Sequence, residues 1–134
     1  MAKLFEIPIT RGGQQTLFDV TPFIVLNTYE VSSQPVYDDW VDGYNHSRRL
    51  VKRRKLKGSF DVKFFDANNY RDFLSIVEEA RVTGFDYIVA NVYDNKLRAV
   101  KSTVNIYVDY ELPNVEPSIG YSFNEEFTID VEEV

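Results

Sequence analysis

The side chains able to do chemistry are few. One histidine occurs in 134 residues, His46, in the run Tyr44-Asn45-His46-Ser47. A hydrolytic triad needs a base held by a carboxylate and facing a nucleophile. No such surround is legible here, so a solvated loop histidine is the expectation. Carboxylates are plentiful, but Asp38-Asp39 and Glu125-Glu126 are adjacent pairs, and neighbours on a strand point to opposite faces. They read as solvated faces rather than paired acids. Gly12-Gly13 has neither the Walker spacing with Lys nor a following helix, so it reads as a turn and not a phosphate loop. The absence of cysteine excludes a disulfide framework, a thiolate metal site and a cysteine nucleophile together. No catalytic residue, metal ligand or cofactor site is expected, and the chain is read as a non-enzyme.

What remains is charge. Seven of the 15 basic residues fall between positions 48 and 57: Arg48, Arg49, Lys52, Arg53, Arg54, Lys55 and Lys57. The aromatic residues Tyr37, Trp40 and Tyr44 precede them, while the last ten residues carry Glu125, Glu126, Asp130, Glu132 and Glu133 and no base. Two functional readings follow. Lys and Arg can displace counterions from nucleic acid while aromatic rings stack on bases, which would make a nucleic-acid-binding module of 48–57. Alternatively the basic stretch is an exposed hairpin that meets an acidic surface of another subunit. The net charge of −6 repels nucleic acid and anionic membranes and favours the second reading; an ordinary solvated loop is the bland alternative.

These residues must be held by something, and the periodicity says what. Leu4 to Ile9 and Leu17 to Val20 fit two short strands about the Gly12-Gly13 turn, and Phe23 to Val31 reads as a third. Ser32 to Asn45 mixes turn residues with Val36, Tyr37, Trp40 and Val41, which suggests a long loop or extended hairpin. In Leu56 to Phe64, apolar Leu56, Phe60, Val62 and Phe64 alternate with Lys57, Ser59, Asp61 and Lys63, the period of a strand with one buried face. Asp66 to Asn69 is a helix-start signal. Tyr70, Phe73, Leu74, Val77 and Ala80 then recur at helical spacing, with Gly84 as the expected left-handed stop. Phe85 to Tyr93 and Leu97 to Tyr110 make a hairpin about Asp94-Asn95-Lys96, in which Val100, Ser102, Val104, Ile106 and Val108 share a face. A closing strand falls within Gly120 to Val134.

The length suits one domain over 1–134 with a long loop or hairpin at about 32–57. Ten Phe, nine Tyr and one Trp favour strands over a helical bundle. The fold class is therefore mainly β, a sandwich or barrel, with one flanking α-helix. No apolar run approaches the roughly 20 residues of a membrane span, and residues 1–8 lack a signal-peptide core, so the chain is expected to be made and kept in the cytoplasm.

This order of elements, a charged hairpin, the run Leu56-Lys57-Gly58-Ser59-Phe60-Asp61-Val62-Lys63-Phe64-Phe65, one helix and then paired strands, resembles the tail-tube fold. That fold is shared by phage tail tube, distal tail and baseplate hub proteins and by related injection tubes. The resemblance spans Val41 to Val134. It implies a viral structural subunit located in the virion tail and made in the bacterial host. Copies would join edge to edge into rings, usually hexameric, that stack head to tail and contact other tail or baseplate proteins. DNA would pass through the channel without specific binding, repelled by an acidic wall, and no membrane partner is implied. Tyr37 to Lys57 would reach a neighbour, and the acidic C-terminal strand would be a receiver. A tail terminator, neck or baseplate component fits the same pattern.

Overall fold

Two consecutive glycines with left-handed backbones, Gly12 (φ 59°) and Gly13 (φ 80°), form the tight turn that twisted hairpins favour. They fold β1 (Phe5–Arg11) back on β2 (Gln14–Asp19) with Glu6 opposite Asp19 and Arg11 opposite Gln14. The computed structural model describes residues 3–41, 43, 47–81, 84–112 and 126–134. Its remaining elements are a 3₁₀ turn at Thr21–Phe23, β3 (Ser32–Val41), β4 (Ser47–Val62), α1 (Ala67–Ala80), β5 (Tyr87–Asp94), β6 (Ala99–Tyr110) and β7 (Phe127–Glu133). Among the described residues the seven strands form one antiparallel sheet in the order β2-β1-β5-β6-β7-β4-β3, with one α-helix, α1.

The sheet curls until its last strand meets its third. Ser33 at the start of β3 donates its backbone N–H to the Asp94 carboxylate at the end of β5 (3.0 Å), and Asn95 N donates to Val31 O (2.9 Å). The rings of Phe5 on β1 and Phe60 on β4 lie 5.4 Å apart across the enclosed space. Alternate residues of four strands fill that space: Leu56, Phe60 and Val62 of β4, Ile88, Ala90 and Val92 of β5, Val104, Ile106 and Val108 of β6, and Phe127, Ile129 and Val131 of β7. Each such side chain contributes about 1.5–3 kcal/mol by leaving water, so the period-two pattern dictates the pairing.

The helix starts where expected: Asp66 Oδ1 accepts from Asn68 N at 2.7 Å. It buries Phe73, Ile76 and Val77. The Phe73 ring contacts Phe18, Phe64, Tyr110 and Phe127, so one side chain ties β2, the segment that follows β4, β6 and β7 together. The helix stops at Ala80 rather than running to Gly84. Arg81 is already extended (φ −62°, ψ 129°), and its guanidinium bonds Glu78, Asp86 and the Val108 carbonyl. Those bonds draw the chain out of the helix three residues before Gly84 (φ 83°).

Two further expectations need correction. Phe23 to Val31 is not a strand. Pro22 opens the 3₁₀ turn, and Asn27 adopts a left-handed backbone (φ 66°). The segment then lies along β4 by isolated bonds, Val25 N to Asp61 O and Glu30 N to Ser59 O, both 2.9 Å. In β6, Val100 is 44% exposed although it shares parity with buried Val104, Ile106 and Val108. An irregularity opposite β5 between Ala90 and Val92 inserts a residue into β6, and Thr103 takes a left-handed backbone there (φ 56°). An added residue exchanges the two faces of a strand.

Candidate functional site

The segment at 32–57 is the extended hairpin, and β4 explains its shape. Residues Lys57 to Val62 pair with β7, while Ser47 to Leu56 pair only with β3, in a register that runs from Val41 opposite Ser47 to Ser33 opposite Leu56. Beyond Arg53 both strands therefore leave the body of the sheet as a two-stranded arm. At about 3.3 Å per residue, Ser47 to Lys52 reach about 20 Å outward.

The residues singled out for their chemistry distribute along this arm and its root. Trp40, Arg48, Arg49 and Lys52 lie in the arm, Trp40 opposite Arg48 and Asp39 opposite Arg49 in backbone register; their side chains lie outside the description. Tyr44, His46 and Glu125 fall outside the described residues. Tyr37 is 41% exposed, opposite Val51.

At the root the charges are engaged within the chain. Arg53 Nη1 donates to Val134 O (3.1 Å), and Arg54 donates to the Ser33 hydroxyl and carbonyl (both 3.3 Å). Lys55 Nζ lies 2.7 Å from Glu132 Oε1. That hydrogen bond, with the lysine charge, holds the exposed Glu132 carboxyl below the usual carboxylate range. Glu133 accepts from Leu56 N (2.9 Å) and from Lys101 Nζ (2.8 Å). Lys57 and Glu126 are exposed. The basic middle and the acidic end of the sequence thus meet inside one chain, at Lys55 with Glu132 and at the Leu56 amide with Glu133. Register causes this, since Lys57 is opposite Glu132 and the opposite-charge neighbours follow.

The convex face beside this root holds groups that the sequence did not single out. Tyr87, Tyr107, Glu132 and Lys57 form a row across β5, β6, β7 and β4, and the next row brings Asp109 opposite Asp130 with Ser59 beyond. Asp109 and Asp130 are both exposed, and among the described residues no cation bonds either of them. They border a shallow depression of about 350 Å³ shared with Lys57, Ser59 and Glu132. Only the β6–β7 register, invisible in the sequence, assembles this pair.

A second cleft, about 770 Å³, lies on another side, near Lys3, Asp19, Thr21, Leu26, Tyr29 and Asn95. Three of its ionisable groups, Lys3, Asp19 and Tyr29, are taken up in holding the chain together. Lys3 Nζ bonds Asp19 (2.6 Å), and the Tyr29 hydroxyl donates to Tyr93 O (2.6 Å) and lies 3.1 Å from Leu4 O. Burial pushes the Tyr29 phenol far above its ordinary range, which keeps it a neutral donor tying the 24–31 segment to β1 and β5. Among the described residues no group of three or more His, Cys, Asp or Glu is arranged to hold a metal, and no helix is long and apolar enough to cross a membrane. Comparison with known protein families, with curated proteins and with solved structures finds no match to this chain.

Proposed function

We propose that this chain is a structural subunit of a phage tail or related injection tube, which works by assembling with copies of itself into rings that stack around a channel. The observation that carries the reading is the β3–β4 arm. The first part of the longest strand leaves the body of the sheet and, among the described residues, pairs with β3 alone. A lone two-stranded ribbon is marginal in water, and an exposed edge invites another chain, so such an arm is stabilised by a neighbour. An acidic chain (−6) is also suited to a wall along which DNA slides without binding.

Replacing Arg48 and Arg49 by Glu tests this. Both stand in the two-stranded arm, and surface substitutions change stability by about 0.5 kcal/mol or less, so the variant should keep its circular dichroism and melting point while losing the rings or tubes expected of wild type in negative-stain images. Retained assembly would remove the arm from the interface. Salt-sensitive binding of wild type to DNA, lost in the variant, would instead favour a nucleic-acid-binding module.

A further inference from the structure

We propose that the convex face of β6 and β7 around Asp109 and Asp130 is the docking surface for the β3–β4 arm of a second copy of this chain. The inference deepens the assembly reading and rests on it. Two carboxylates directly opposite one another on neighbouring strands repel, and such pairs are unfavourable. Here Asp109 and Asp130 face solvent as register partners. The other acids of this region have partners: Glu132 has Lys55, Glu133 has Lys101, and Asp61 accepts the Thr128 hydroxyl at 2.6 Å. Lys57 borders the same depression but stands opposite Glu132 and bonds neither aspartate, so two carboxylates share at most one nearby lysine and the pair is a local site for a further cation supplied from outside.

The arm carries the complementary charge, Arg48, Arg49 and Lys52, and geometry denies it the face of its own molecule. Asp130 is level with Ser59 on β4. From Ser59 to Arg49 the strand runs ten residues in the direction away from β7, about 30 Å. An arginine side chain cannot span that distance, so the pairing is between copies. Tyr107, 39% exposed, and the half-buried Tyr87 lie in the adjacent row with their rings 6.4 Å apart at 85°. They offer ring faces on which a guanidinium can lie while it bonds a carboxylate. Because the arm of one copy meets a different surface on the next, the contact is heterologous. It closes into a ring or propagates as a filament and does not stop at a two-fold dimer.

The test is the double variant Asp109→Asn with Asp130→Asn, followed by sedimentation velocity over a concentration series and by thermal melting at a concentration where the protein is dissociated. Removing the repulsion should leave the melting point unchanged or raise it. Removing the docking charges should raise the concentration for half-assembly about tenfold or more, the scale of a lost interfacial charge pair. Asp109→Arg with Asp130→Arg should abolish assembly and should recover it when combined with Arg48→Glu and Arg49→Glu. Assembly of the Asn variant at the wild-type concentration would overturn this docking surface and leave the assembly reading standing. A lowered melting point would overturn it too, by assigning the pair to the fold. A wild type that never associates would overturn both.

Discussion

Replacing Gly58 by Ala should destabilise the fold sharply, although the residue sits in a strand where alanine is ordinarily tolerated. Segment 24–31 crosses β4 so closely here that a methyl group at position 58 would collide with the Glu30 carbonyl oxygen and approach the Glu30 carbonyl carbon and Val31 Cα to 2.7 Å. All three are backbone atoms, so no side chain can turn aside. Val31 is fully buried and is held by the Asn95 N–H, and its neighbour Glu30 by the bond to Ser59. Relief therefore means moving the segment. Overpacking of this kind costs about 1–3 kcal/mol, and losing the two bonds from Glu30 N and Val25 N to β4 adds about 1 kcal/mol each. Against this stands a gain of about 0.5–1 kcal/mol from the less flexible unfolded chain. The net is about 2–4 kcal/mol, which in a chain of this size lowers the melting point by about 10 °C. Urea unfolding with unchanged slope would read it directly. A midpoint within error of wild type would show that the segment does not press on Gly58 and that this account of how the curled sheet is held is wrong.

Thr103 is a β-branched residue with a left-handed backbone (φ 56°) whose amide is held by Asn91 Oδ1 at 3.0 Å. Asparagine tolerates that conformation better, so Thr103→Asn should stabilise by about 0.5–1 kcal/mol, measured as a raised urea midpoint. Asp94 accepts from Ser33, Lys96 and Leu97 N–H groups. Burial pushes its carboxyl up, but the donations from Ser33, Leu97 and Lys96 outweigh this and hold it below its ordinary value of 3.8. A depressed folded value means that its contribution is complete above about pH 4 and is lost as the pH falls further. Asp94→Ala should therefore cost about 2 kcal/mol at pH 7, chiefly by leaving the buried Ser33 amide unpaired. The deficit should narrow in melts taken below pH 4, and one that stays constant to pH 2 would refute the charge assignment.

Alternation made the strands legible wherever one face is buried throughout, as in Leu56 to Phe64, and the cap at Asp66 marked the helix start. The errors lie where a distant group overrides a local signal. Phe23 to Val31 has the composition of a strand, but its N–H groups find single acceptors on β4 and no ladder. Arg81 ends the helix through bonds that reach forward to Asp86 and Val108 as well as back to Glu78, before Gly84 can. For the candidate surface, composition located Arg48 to Lys57 and the acidic C-terminus. It paired them between copies, whereas β4–β7 register joins Lys55 to Glu132 within one chain. Asp109 and Asp130 looked like ordinary outward positions on separate strands, and only pairing of β6 with β7 makes them a site.

The most direct test of the central claim is the mass and shape of the purified wild-type protein across concentration and salt, by sedimentation velocity and negative-stain microscopy. Assembly through an arginine-bearing arm and a carboxylate face predicts rings or stacked tubes that grow with concentration and dissociate as salt screens the contact. A monomer at every concentration and at low salt would contradict it.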